Sequence, residues 1–150
     1  WHMMLRTKRG NMFYVVTDGR TGRRTVLMPE NDPAITPRHT RKIRSRPHAT
    51  MMYAKHLAKV FRAAGKPLAK VQVVSCFRLN GRPSQRLFDH RVDILPYVDR
   101  YETVGITGLH KFLFPLLDYN AKVPKEMQCS KRWDDDIKRN VKRLDQEEGG

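Results

Sequence analysis

The sequence predicts an α+β fold, in which an antiparallel β-sheet made of hairpins carries two or more helices packed on one face. Two strand-rich stretches, at about residues 12–28 and 71–94, each contain a hairpin turn signal. Two helical stretches lie between them, at about residues 37–64. Strands and helices that are grouped along the chain in this way favour an antiparallel sheet with helices on it.

The clearest local signal is the segment NMFYVVTDGRTGRRTVLM, residues 11–28. Residues 12–16 are rich in β-branched and aromatic side chains, which strands prefer, and so in part are residues 25–28. Asp18-Gly19 opens the loop between them, and this dipeptide is typical of hairpin turns. The segment therefore predicts a hairpin with a slightly long loop, whose polar and basic residues face water.

Two helices are predicted after this hairpin. Thr36-Pro37 has the pattern of an N-cap followed by the first helical residue, so a short helix is expected at about residues 37–44. Pro47 opens a second helix at about residues 48–64, which ends before Gly65. One face of the second helix is apolar, and cations recur on the other at Lys55, Lys59, Arg62 and Lys66. This basic stripe is either a solvated face or a binding surface for phosphate or lipid headgroups.

The second strand-rich stretch begins with LAKVQVVSCFRLNGRP, residues 68–83. Apolar residues alternate from Val71 to Leu79, and the opposite face is mixed, which predicts a strand that is partly covered on both sides. Asn80-Gly81 is the strongest short-range hairpin signal in the chain. We therefore expect SQRLFD, residues 84–89, to form the return strand.

A dense set of charges follows this turn, and we treat it as the candidate site. In a strand, residues two apart share a face, so Asp89, Arg91 and Asp93 would line one side. Such a row pairs each guanidinium with carboxylates, because the planar guanidinium of arginine binds a carboxylate bidentately. The set is either a network that holds the fold or a recognition surface for an acidic or peptide ligand. Its members are Arg82, Gln85, Arg86, Asp89, Arg91 and Asp93.

Composition narrows the classes of function. The chain has 150 residues, which suffice for one domain with a core, and a net charge of +15 from 30 Lys and Arg against 15 Asp and Glu. Residues 36–66 contain nine of these cations and no acid. This balance favours nucleic acid, an anionic membrane surface or an acidic substrate as partner. No apolar run is long enough for a membrane span, no signal peptide is present, and the start at Trp1 suggests a piece of a longer protein.

The sequence contains no motif that predicts a catalytic or metal site. The six histidines have no metal-ligand spacing, and no phosphate-binding loop, nucleophile elbow or Cys/His catalytic signature is present. Two cysteines, Cys76 and Cys129, are too few for a disulfide scaffold and match no zinc pattern. They are either paired with each other or buried as free thiols, and the free thiol is the favoured interpretation because Cys76 lies in a strand.

Four segments in the same order carry a resemblance to a known family. They are WHMMLRTKRG, DGRTG after a strand, NGRPSQRLFDHRVDI and FLFPLLDY. Together they resemble the lumenal domain of vitamin K-dependent gamma-glutamyl carboxylase and its microbial homologues, over roughly residues 1–118. On this basis residues 1–120 are expected to form the lumenal-type domain, and residues 121–150 a charged helical or disordered tail.

The resemblance implies a function for the parent protein. That parent is expected to be a multi-pass membrane enzyme of the endoplasmic reticulum, or of a plain membrane in microbes, and to belong to the carbon–carbon lyases. It oxidises vitamin K hydroquinone with O2, and the strong base formed removes a glutamate γ-proton before CO2 adds. The resemblance places the catalytic lysine in the membrane part, so we expect no catalytic residue in this chain. No metal is expected either, because the histidines and cysteines lack metal-ligand spacing. The lumenal domain would hold the glutamate-containing protein or peptide, with Trp1, Met3 and Met4 nearest the membrane and the active site.

Two departures from the family pattern are visible. His90 stands where the family has proline, so the local turn is expected to differ, and His56 stands where vertebrate members carry a cysteine bridged to the membrane part. The second difference favours an invertebrate or microbial origin. Two alternatives remain: a basic nucleic-acid-binding module, which the lack of aromatic residues among the arginines disfavours, and a membrane-associated homologue that does not carboxylate glutamate.

Overall fold

A computed structural model describes residues 9–78, 82–98, 112–115 and 117–139 of the chain. Its centre is a three-stranded antiparallel sheet in the order β2-β1-β3. The strands are β1 (Arg9–Asp18), β2 (Arg24–Leu27) and β3 (Leu68–Arg78). With the helices described below, this sheet confirms the α+β prediction.

The predicted hairpin joins β1 to β2, with Tyr14 opposite Leu27. The Asp18 carboxylate closes the loop by accepting a hydrogen bond from the backbone N–H of Arg20 at 2.7 Å. This bond is the largest of the causes that lower the pKa of Asp18 below its ordinary value. Gly22 completes the loop with φ of +73°, a conformation that costs glycine little.

Helix α1 (Pro37–Ser45) and helix α2 (Pro47–Ala63) follow the hairpin. Thr36 caps α1 as predicted, because its hydroxyl accepts a hydrogen bond from the backbone N–H of His39. Pro47 occupies the first turn of α2, where its missing N–H leaves no helical bond unmade.

Helix α2 ends in a Schellman motif, which explains the Gly-x-Pro sequence there. Gly65 has φ of +76°, and the backbone N–H of Lys66 donates to the carbonyl of Phe61 at 2.8 Å. Pro67 then leads into β3. Its carbonyl accepts a hydrogen bond from Gly19 at 2.8 Å, so the first hairpin and the end of α2 are held together.

The main core lies between α2 and one face of the sheet. Tyr14 is completely buried there, and its hydroxyl donates to the carbonyl of Thr50 on α2 at 2.8 Å. Burial is the main cause that raises its pKa well above the ordinary value. The sheet residues of this core alternate along β1 and β3, as expected of a strand face. They are Met12, Tyr14, Val16, Val71, Val73 and Phe77.

The opposite face of the sheet is also covered, in this case by a C-terminal helix, α3 (Lys131–Arg139). Ile137 is fully buried against Phe13, Val15 and Val74. A strand buried on both faces has a continuous apolar sequence, which explains the run MFYVV in β1. Besides α3, the described residues form 3-10 turns at Pro29–Asn31, Leu95–Tyr97 and Lys125–Met127.

The predicted return strand at residues 84–89 is wrong. Only Gln85 forms a bridge to β3, by exchanging two 2.9 Å backbone bonds with Phe77, and Asn80-Gly81 lies outside the described residues. The hydroxyl of Ser75 then accepts the backbone N–H groups of Leu87 and Phe88, which replaces the ladder. Residues 87–89 pair instead with residues 112–114.

Candidate functional site

The charged segment, residues 82–93, runs alongside β3, which it contacts at Phe77, Ser75 and Val71, and its central residue is Arg86. The Arg86 side chain is 3% exposed. Its Nη2 donates to Oδ1 of Asp134 at 2.8 Å, and its Nη1 donates to the carbonyl of Ser75 at 3.2 Å. Asp134 lies on α3, so the partner of Arg86 comes from the far end of the chain and not from the aspartates nearby in sequence.

The burial of Asp134 makes the charged form of its carboxylate unfavourable. Burial raises the pKa of the Asp134 carboxyl, and the hydrogen bond and charge of Arg86 oppose this only in part. The pKa therefore stays above its ordinary value. A buried pair of this kind contributes little compared with an apolar pair, but the loss of one partner leaves an uncompensated charge.

The side-chain amide of Gln85 connects two parts of the backbone. Its Nε2 donates to the carbonyl of Pro115 at 2.9 Å, and its Oε1 accepts from the backbone N–H of Leu117 at 2.9 Å. The buried side chain thus holds residues 115 and 117 against the bridge between Gln85 and Phe77.

Asp89 and Arg91 form the bidentate pair that the charge pattern suggests. The Nε of Arg91 lies 2.9 Å from Oδ1 of Asp89, and its Nη2 lies 3.0 Å from Oδ2. Burial works against the charged form of Asp89, but the bonds from the Arg91 guanidinium and backbone outweigh it, so the pKa of Asp89 is lowered. Arg91 itself is 44% exposed.

Asp93 does not belong to a strand row with Asp89 and Arg91, and this part of the prediction is wrong. The backbone turns at residues 89–92, where the N–H of Val92 donates to the carbonyl of Asp89. The Oδ1 of Asp93 accepts the backbone N–H groups of Val71 and Leu95 at 2.9 and 3.0 Å. The physical reason is that short carboxylate side chains bind nearby backbone N–H groups and so favour turns.

Two other residues of the charged segment, Arg82 and His90, also contact the rest of the fold. The guanidinium of Arg82 lies over the ring of Tyr119, with 4.7 Å from Cζ to the ring centroid. His90 is buried, and its carbonyl accepts a hydrogen bond from Nε2 of Gln72 at 3.0 Å.

Cys76 and Cys129 form a disulfide, so the favoured interpretation of buried free thiols is wrong. Their Cα atoms lie 5.8 Å apart, although 53 residues separate them in sequence. Spacing alone gave no sign of this proximity, because the segment that carries Cys129 returns to β3 only in the folded state. The backbone N–H of Arg86 donates to the carbonyl of Met127, two residues before Cys129.

The residues that sequence reasoning missed are therefore in the C-terminal segment, residues 125–139. A weak signal for its packing exists, since Trp133 and Ile137 are apolar residues four apart in a charged run. Nothing in the local pattern identifies Asp134 as the partner of Arg86. The division of the chain at residue 120 stays a prediction, but residues 127–139 supply a disulfide, a buried ion pair and a buried isoleucine to the domain.

The remaining predicted residues and features can be located as follows. Trp1, Met3 and Met4 lie outside the described residues. Within the described ranges, no group of three or more His, Cys, Asp or Glu is placed to hold a metal ion. In the same ranges, no helix combines the length and the apolar character needed to cross a bilayer.

Comparisons with known proteins give one result. A family model described as the vitamin K-dependent gamma-carboxylase, lumenal domain, matches residues 1–105. The match includes the sheet, α1, α2 and the whole charged segment, and it stops before Cys129 and Asp134. Neither a curated protein nor a solved structure matches the chain.

Proposed function

Because the chain belongs to the family of the vitamin K-dependent gamma-carboxylase lumenal domain, we propose that it serves a membrane enzyme that converts protein-bound glutamate to γ-carboxyglutamate. The observation that carries this proposal is the family match over residues 1–105. The disulfide supports a lumenal location, since disulfides persist in oxidising compartments such as the lumen of the endoplasmic reticulum.

The first role of the domain is to present a rigid surface to the glutamate-containing substrate. Three residues of the charged segment form hydrogen bonds within the fold: Gln85, Arg86 and Asp93. These residues therefore hold the surface in place and do not contact the substrate. Arg91 differs, since its side chain is 44% exposed and its guanidinium is bound to Asp89. It positions the turn at the protein surface.

Charge supports an acidic substrate. Residues 33–88 contain 13 Lys and Arg and no Asp or Glu, and this range includes both helices and β3. Such a one-sided charge raises the local concentration of acidic peptides and speeds their association at low salt. A peptide rich in glutamate matches this surface better than a neutral or basic one.

The described residues do not fit the hydroquinone that the family uses. A prenylated quinone needs a continuous apolar surface, but the exposed large apolar side chains of the described residues are Met52, Val60 and Tyr119. Most of the other large apolar side chains of the described residues pack in the two cores. We therefore assign the described residues no contact with vitamin K and no step of the oxidation.

Carboxylation is tested in membranes that contain the complete parent protein. We expect incorporation of radiolabelled CO2 into a glutamate-rich reporter peptide that depends on vitamin K hydroquinone and O2. Incorporation into the matched glutamine peptide must be absent. If the parent incorporates no label with any of several reporters, the proposal fails in favour of a homologue that does not carboxylate glutamate.

Substrate binding is tested with the 150-residue chain. Fluorescence anisotropy should show that a glutamate-rich peptide binds more tightly than its glutamine counterpart, with an affinity that falls as salt rises. Duplex and single-stranded RNA of the same length are the comparison. Submicromolar RNA binding with a steep salt dependence would support the nucleic-acid alternative instead.

A further inference from the structure

The outward face of α2 carries two parallel rows of side chains. The cationic row consists of Lys55, Lys59 and Arg62, and the apolar row consists of Met52 and Val60, with His56 between them. Residues three or four apart are neighbours on a helix surface, so each row follows the helix axis. Every one of these side chains is exposed, including Met52 at 36% and Val60 at 48%.

The fold does not need this face. The side of α2 that packs on the sheet is complete, with Met51, Ala54 and Leu57 buried in the main core. Met52 and Val60 point away from that core and stay in water. Two exposed apolar residues are common on any protein surface, so their meaning depends on the charges beside them.

The charge that helices α1 and α2 themselves bring to this surface is positive, although Glu30, which precedes α1, pairs with Arg44 of α1. Helix α1, which packs beside α2, adds the exposed Arg38 and Arg41. No acid occurs between Pro33 and Phe88, so neither helix contributes a carboxylate to this surface. The partner of the face must therefore be anionic.

The presence of an apolar row beside the cationic row distinguishes a bilayer from other anionic partners. Helices that lie in the membrane interface combine lysine and arginine with apolar residues that enter the headgroup boundary. Lysine stems extend along apolar surface while the ammonium reaches the headgroups. Single-stranded nucleic acid instead selects aromatic residues for stacking, and the aromatic residues of α2, Tyr53 and Phe61, belong to the core side.

We propose that the outward face of α2 docks the domain on an anionic phospholipid bilayer. The apolar row lies at the headgroup boundary, and the cationic row contacts lipid phosphates and carboxylates. This docking goes beyond the proposed function and does not depend on it. The vesicle experiment below can succeed if the parent lacks carboxylase activity, and it can fail if the parent carboxylates glutamate.

The test is flotation of the 150-residue chain with phosphatidylcholine vesicles, with and without phosphatidylserine. We expect binding only to vesicles that contain phosphatidylserine, with weaker binding at high salt because exposed charges are screened. The variant K59Q/R62Q removes two cations from the row and should lower the partition coefficient roughly thirtyfold. The variant K122Q/K125Q is the matched control, since it removes two exposed cations elsewhere and should lower binding much less.

The apolar row has its own variant, M52S/V60S. It keeps the net charge, and we expect it to weaken binding severalfold because the apolar contact with the bilayer is lost. All variants should keep the thermal midpoint of the original chain, since these side chains are exposed. Equal losses in K59Q/R62Q and K122Q/K125Q, or unchanged binding of M52S/V60S, would overturn the proposal. It is also overturned if K59Q/R62Q weakens RNA or peptide binding while vesicles do not bind at all.

Discussion

Arg86 and Asp134 are 48 residues apart in sequence, yet Nη2 of one lies 2.8 Å from Oδ1 of the other. The two side chains are 3% and 11% exposed. The pair joins the charged segment to α3, and so connects the part of the chain that matches the family model to the part that does not.

Replacement of Asp134 by asparagine should destabilise the domain strongly, because it leaves the Arg86 guanidinium buried without its counter-charge. We expect a loss of about 3–5 kcal/mol in the free energy of unfolding, measured by urea denaturation with the disulfide intact. Arg139→Gln is the control, since Arg139 pairs with Asp136 at the surface and should cost less than about 1 kcal/mol.

The double variant R86M/D134L separates the value of the pair from the cost of breaking it. If the main role of each charge is to neutralise the other, two apolar residues can replace the pair. The double variant should then recover most of the stability that D134N loses. A double variant as unstable as D134N would show that Arg86 is needed for its bond to the Ser75 carbonyl instead.

The disulfide between Cys76 and Cys129 should stabilise the domain by about 4 kcal/mol, since it closes a loop of 53 residues in the unfolded chain. Thermal unfolding with and without reductant measures this. Addition of reductant should lower the midpoint of the original chain and leave that of C76S/C129S unchanged. Alkylation of both thiols in the folded, unreduced chain would contradict the pairing.

The Asp89–Arg91 pair predicts a pH dependence of stability. The pKa of Asp89 lies below its ordinary value of 3.8 in the folded state, so the folded protein binds fewer protons than the unfolded chain. The stabilisation is therefore complete above 3.8 and is lost as the pH falls through the lower folded-state pKa. Arg91→Gln should cost about 1 kcal/mol at neutral pH and almost nothing in strong acid.

Urea denaturation over a series of pH values tests this prediction. Arg38→Gln is the control, because Arg38 is exposed on α1 and its replacement should shift stability little at any pH. A loss in Arg91→Gln that is equal in acid and at neutral pH would show that Arg91 acts by packing.

Gly19 should not tolerate a side chain. A Cβ atom there would lie 2.8 Å from the carbonyl oxygen of Pro67, which already accepts the Gly19 N–H. We expect Gly19→Ala to cost about 2 kcal/mol, since backbone has to move. Gly65→Ala should lower the free energy of unfolding by about 1 kcal/mol, because alanine at this position has to adopt a positive φ angle. Thermal denaturation of both variants compares the two, and an equal or smaller loss at Gly19 would contradict the close approach.

Local signals account for the parts of the fold that were predicted well. The turn at Asp18-Gly19, the cap at Thr36 and the break at Gly65 each depend on a few neighbouring residues, and all three are confirmed. The alternation in the charged segment predicts a strand, but the structure has turns there. The hydroxyl of Ser75 and the carboxylates of Asp89 and Asp93 instead capture backbone N–H groups and bend the chain.

Long-range partners could not be predicted from the sequence in the same way. The partners of Arg86 and Cys76 lie 48 and 53 residues away, and no local period connects them. Among the candidate site residues, Asp89 and Arg91 could be predicted to pair, because only two positions separate them in the sequence. The role of Asp93 was not, since its partners are the backbone of β3 and of a 3-10 turn.

The cover that α3 places on the second face of the sheet bears on how this domain can be produced. A recombinant chain cut at residue 105, where the family match ends, would leave Phe13, Val15 and Val74 open on one sheet face. It would also leave Cys76 with an unpaired thiol. Such a product is expected to aggregate and to cross-link between molecules. A product that extends through residue 139 keeps this sheet face covered by α3 and Cys76 paired with Cys129.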